Sequence, residues 1–130
     1  MTSSTATPHT SFTVSQPRLL LHAEGAVLFI AALMLYARLG ANAWVLLLLF
    51  FSFDVFMLGY WLNPRLGSWV YNLGHTLLVP LALGLLGFFA NAEPVLAFAL
   101  IWLAHIGFDR LMGYGLKYPT AFQDTHLQRV

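Results

Sequence analysis

The stretch "PVLAFALIWLAHIGFDRLMG", Pro94 to Gly113, decides how the whole chain is read. It is long and apolar enough to cross roughly 30 Å of hydrocarbon as a helix rising about 1.5 Å per residue. Its second half nevertheless carries His105, Asp109 and Arg110. Ionisable side chains are costly inside a membrane, so they mark sites, paths or paired groups. Their meaning depends on what surrounds them.

Three further windows have the same character: "LLLHAEGAVLFIAALMLYA" (19–37), "AWVLLLLFFSFDVFMLGYWL" (43–62) and "LGSWVYNLGHTLLVPLALGLLGFF" (66–89). The 130 residues are 59% hydrophobic and only 8% charged, with a mean hydropathy of +0.74. A soluble domain is about a quarter charged, so much of this surface must face lipid. The links between windows are short and carry the breakers Gly40, Asn42, Asn63, Pro64, Asn91 and Pro94. Short links make neighbours antiparallel. The expected fold is therefore all-α: an integral membrane, up-down four-helix bundle with spans at about 19–37, 43–62, 66–89 and 94–113. Residues 1–18 read as a flexible polar tail, and residues 114–130 as a cytoplasmic tail. The charge of +1 offers no basic field for nucleic acid, and the absence of cysteine removes thiolate chemistry.

Basic residues in short loops orient a membrane chain. Arg18, Arg65, Arg110, Lys117 and Arg129 gather at one side and Arg38 stands alone at the other, so both termini are expected in the cytoplasm, at the plasma membrane. Counting inward from that side at the helical rise, Glu24 lies roughly 9 Å deep, Asp54 and His105 roughly 12 Å, and His75 roughly 13 Å. Asn72 and Asp109 are shallower, at roughly 6 to 9 Å. Each span thus brings an ionisable group to one inner layer. His105 and Asp109 share a helix face at i, i+4, as do Asn72 and His75 at i, i+3. Pro80 removes a helical hydrogen bond beside Thr76 and predicts a kink next to His75.

Asp54, His75, His105 and Asp109 supply oxygen and nitrogen donors, a set suited to Zn, Mn or non-haem Fe. The bland alternative is that they pair with one another and hold the bundle together. The functional reading makes those four the metal ligands, with Glu24 as general base and Asp109 either ligating or orienting His105. Asn72, Arg65, Arg110, Lys117 and His126 would rim the site and hold a lipid or amphipathic substrate. A bound metal brings water toward neutral pKa, which makes hydrolysis the expected chemistry. The tail "GYGLKYPTAFQDTHLQRV" is too polar to cross again and is expected to turn back, bringing Asp124 or His126 over the site.

The stretches "YNLGHTLLVP", "IWLAHIGFDRLMGYGLKYP" and "DTHL" resemble the domain-of-unknown-function 4260 family of small bacterial membrane proteins. That resemblance covers nearly everything after residue 18 and implies four membrane helices. A fainter similarity, in the order Asp54, His75, His105, Asp109, is to membrane-bound metal-dependent hydrolases, whose paired-His motif is replaced here by "YNLGHT". Two other functions compete. His75 and His105 lie at matching depth and would serve as axial ligands in a b-type haem electron carrier. A proton-coupled carrier would use the same groups as a relay and would need a homodimer.

Overall fold

The computed structural model describes residues 15–54, 62–116 and 125–129, which form six helices and no β-strand. Helix α1 spans Gln16–Arg38, α2 Ala43–Ser52, α3 Pro64–His75, α4 Leu78–Phe89, α5 Glu93–Leu111 and α6 His126–Arg129. Three stretches are long and apolar enough to cross a membrane: α1, the α3–α4 pair over Pro64–Phe89, and α5. Four were expected. The second, 43–62, is described only in part: α2 has 10 residues, about 15 Å of rise. A tighter helical turn follows at Phe53 and Asp54, and residues 55–61 lie outside the described residues.

The starts follow local chemistry. Free backbone N–H groups at a helix N-terminus need acceptors. Ser15 Oγ takes Arg18 N–H at 3.4 Å, Asn42 Oδ1 takes Trp44 N–H at 2.8 Å, and Asn63 Oδ1 takes Leu66 N–H at 2.7 Å. Pro17, Pro64 and Pro94 occupy first-turn positions, where a missing N–H costs nothing.

Helix α5 is the hub. From Ala99 to Gly107 every residue except Trp102 is buried, as befits a helix apolar all round. Against α1 the contact is backbone to backbone. A Cβ added to Gly107 would lie 2.6 Å from Phe29 N, and one on Gly25 would lie 2.6 Å from Leu111 N. Because Gly25 meets Leu111 while Phe29 meets Gly107, the two helices run antiparallel. Small residues at such a crossing let membrane helices approach closely. Helix α4 also runs antiparallel to α5, with Gly84 opposite Ala99 and Gly87 opposite Leu96. Tyr36 is 4% exposed and donates its hydroxyl to Asn42 O at 2.7 Å, tying the α1–α2 turn.

The expected kink is a full break. Helix α3 stops at His75, Thr76 is extended (φ −78°, ψ 146°), and α4 begins at Leu78. Pro80 has no N–H for the Thr76 carbonyl and its ring crowds that position, so the helix cannot run through. The break leaves His75 at the end of α3, turned toward α5.

Candidate metal centre

His75 comes from the last turn of α3, His105 and Asp109 from one face of α5, and Asp54 from the turn after α2. His75 Nε2 lies 3.1 Å from His105 Nε2 and 3.1 Å from Asp109 Oδ2, and His105 Nε2 lies 3.2 Å from the same oxygen. Asp54 Oδ1 is 3.5 Å from His105 Nε2. One ligand atom from each of the four falls within 4.8 Å of all the others. The side chains of His75, His105 and Asp109 are 3%, 2% and 16% exposed, while Asp54 is 45% exposed. Three walls are closed and Asp54 stands at the opening.

His75 Nδ1 is 2.9 Å from Tyr71 O. A carbonyl only accepts, so Nδ1 carries a proton, and Nε2 faces inward, with a bare lone pair when the ring is neutral. Asp109 Oδ2 also offers a lone pair. With a neutral ring, two acceptors at 3.1 Å face each other, with His105 Nε2 in contact with both. One proton on His105 joins only one pair of the three, whereas a cation at the centroid joins all. Ligand bonds of about 2.0–2.1 Å give a tetrahedral edge of about 3.3–3.4 Å. The observed 3.1, 3.1, 3.2 and 3.5 Å separations straddle that value. The group is positioned to hold a metal ion.

The supporting residues were not singled out in the sequence. Tyr71 is fully buried and stacks on the His75 ring, with centroids 3.8 Å apart and planes within 9°. It stands one turn before His75, so the same backbone turn supplies both the stacking ring and the carbonyl that sets the tautomer. Trp102, one turn before His105, donates Nε1–H to Gly74 O at 2.6 Å, taking up a carbonyl freed by the helix break, and stacks on Phe53. Phe50 meets the His105 ring edge-on at 5.2 Å. His105 Nδ1 lies near the Phe50 backbone but outside hydrogen-bond geometry.

Other sequence candidates lie elsewhere. Glu24 is exposed and not part of the cluster; its electrostatic partner is Arg110. The general-base role expected of it has no geometric support. The reason is the α1–α5 crossing, which places the Gly25 backbone against α5 and leaves Glu24 outside. His22 has Nδ1 2.8 Å from Leu111 O and caps the end of α5. Arg110 interacts electrostatically with Glu24, Tyr71 and His126. Asn72 is half-buried one turn before the end of α3, and Arg65 is exposed at its start. Lys117 and Asp124 lie outside the described residues. Past them the tail does fold back: His126 N–H donates to Leu116 O at 2.9 Å, Leu116 N–H donates to His126 Nδ1 at 2.8 Å, and Thr125 and Leu127 are buried. His126 is thus a latch on residues 115–116, not a ligand of the cluster. Burial holds its imidazole below the ordinary pKa of 6.5, and the Arg110 charge acts in the same direction.

A haem does not fit. Axial imidazoles lie on opposite faces of the macrocycle, with nitrogens separated by two bonds of about 2.0 Å, roughly 4 Å in all. Here they are 3.1 Å apart, with Asp109 Oδ2 touching both.

A family model described as "Domain of unknown function (DUF4260)" matches residues 18–130. No curated protein and no solved structure matches the chain significantly.

Proposed function

The chain belongs to the DUF4260 family, and from the geometry of its His/Asp centre we propose that it is a metal-dependent hydrolase of the membrane. In this reading the helices form an up-down bundle in the plasma membrane with both termini cytoplasmic, as the distribution of Arg and Lys suggests. One divalent ion (Zn, Mn or Fe) is held by His75, His105, Asp109 and Asp54 in the cytoplasmic half. The observation that carries this is the convergence of two imidazole nitrogens and a carboxylate oxygen at 3.1–3.2 Å in a buried layer.

A bound divalent ion supplies Lewis acidity, lowering the pKa of a water at the site toward neutrality and polarising a carbonyl or phosphoryl oxygen. The residues divide the remaining work. His75, fixed by the Tyr71 carbonyl and ring, and His105, wedged by Phe50, hold the buried side. Asp109 bridges both imidazoles and balances charge. Asp54, at the opening and the most distant ligand, is placed to take the proton from the attacking water and return it to the leaving oxygen as the scissile bond breaks. It replaces Glu24 in that role.

The test is elemental analysis of gently purified protein. Wild type should carry close to one equivalent of a single transition metal, and the isosteric Asp54→Asn and Asp109→Asn variants should carry much less while remaining folded. Metal-free wild type after purification without chelators, and no uptake on adding Zn, Mn or Fe(II), would overturn the proposal.

A further inference from the structure

Next to the centre, sharing Phe50 and Phe108 with its surroundings, lies an apolar groove. Between α1 and α2 lies a space of about 460 Å³, within the range of small-molecule sites. Its walls include Phe29 and Leu33 on α1, and Ala43, Leu47 and Phe50 on α2. Every lining residue is aliphatic or aromatic, so an amide or hydroxyl seated there would lose its hydrogen bonds. Along α2 the groove runs from Ala43 to Phe51, about 12 Å at the helical rise. Its inner end is built by Phe50 and Phe108, whose rings are 5.6 Å apart. Phe50 is also the ring against His105, Phe108 immediately precedes Asp109, and Asp54 follows Phe50 by one turn. Through Phe50 the inner end of the groove adjoins the His105 ring.

We infer that the substrate is an amphiphile with a single hydrocarbon tail, the tail lying in this α1–α2 groove and the polar linkage presented to the centre beside Asp54. The inference rests on the hydrolase reading above and adds the substrate class. The choice of occupant follows from the surroundings. Trp44, Leu47 and Phe51, which line the groove, and Leu48 beside them are 49–73% exposed, so in the membrane reading the groove opens sideways to hydrocarbon. A lipid tail can slide in sideways from the membrane, whereas a water-soluble substrate would have to cross that layer.

The experiment uses full-length protein in one detergent, loaded with Co(II), whose visible spectrum reports its ligands. Two hydroxamates are titrated, acetohydroxamate and dodecanohydroxamate, which share a metal-binding head and differ in tail. Wild type should respond to the long-chain probe at a concentration at least about tenfold lower, given what burying several methylenes contributes. Leu47→Trp, which fills the groove without touching a ligand, should abolish that preference and leave the acetohydroxamate response unchanged. Ala43→Trp, at the far end, provides a second variant and should weaken dodecanohydroxamate while sparing a hexanoyl analogue. An equal preference in wild type and both variants overturns the groove. If Co(II) gives no spectrum, the metal reading fails by itself, and the groove is then read with a photoactivatable lysophospholipid bearing a diazirine in its tail. Label concentrated on residues 43–51 supports the tail seat, and label spread evenly over the lipid-facing helices overturns it.

Discussion

Gly107 on α5, which faces α1, and Gly84 on α4, which faces α5, make opposite demands, and replacing each with alanine separates them. At Gly107 a Cβ would sit 2.6 Å from Phe29 N and 3.0 Å from Gly25 O. Ordinary contact begins near 3.4 Å, so α1 must retreat by about 0.8 Å (3.4 − 2.6). Both obstacles are backbone atoms and cannot rotate aside. That puts the overpacking cost near the top of its usual range, about 3 kcal/mol. Alanine recovers about 1 kcal/mol of helix propensity, leaving Gly107→Ala less stable by about 2 kcal/mol. At Gly84 the new Cβ would meet only the Ala99 Cβ, at 3.5 Å. Gly84→Ala should therefore be neutral or gain up to about 1 kcal/mol. Unfolding by increasing SDS fraction in mixed micelles measures both against wild type. A Gly107→Ala protein as stable as Gly84→Ala would refute the close α1–α5 crossing, and with it the rotation that carries Glu24 away from the centre.

Two further outcomes follow from the same geometry. The His126 pKa is held below 6.5 in the folded chain, so the unfolded tail binds the extra proton more readily. The latch is thus fully favoured above about pH 6.5 and lost as pH falls through the lowered value, because a protonated Nδ1 cannot accept from Leu116 N–H. Proteolysis of the C-terminal segment should rise on acidification below that point and become insensitive to pH in His126→Gln; a flat wild-type profile contradicts the latch. Tyr71→Ala removes the ring stacked on His75 while keeping the backbone carbonyl, and should weaken metal binding by about 10- to 100-fold, as loss of ligand support does. Competition with a chromogenic chelator measures it, and unchanged affinity means the ring has no part in holding His75.

How much was legible in the sequence depended on whether a feature is periodic or pairwise. Helical windows, their Asn and Pro starts and the depth of Asp54, His75, His105 and Asp109 follow from one-dimensional counting, and the structure brings those four together. Glu24 passed the same depth test and lies outside, because depth says nothing about rotation. The rotation of α1 is set by Gly25 and Gly107 meeting across two helices, a relation no single window contains. Pro80 announced a disturbance but not its extent. Whether the helix bends or breaks depends on what receives the freed carbonyls, and Trp102 is 28 residues from Gly74. Tyr71 carried no signal in the sequence, because its role is to stack on His75 and to lend a backbone carbonyl.

The interruption between α3 and α4 ties the His/Asp cluster to the architecture. A span severed inside hydrocarbon exposes carbonyls that water cannot reach. Here the indole of Trp102 binds the Gly74 carbonyl, while His75 Nδ1–H reaches back to Tyr71 O inside α3. Erasing His75 would remove a buried, stacked and hydrogen-bonded ring at the helix end as well as a member of the cluster, and loss of metal in that variant would be ambiguous. Asp54, whose carboxylate meets His105 and no main-chain group among the described residues, is where the proposed chemistry can be switched off while the scaffold stays whole.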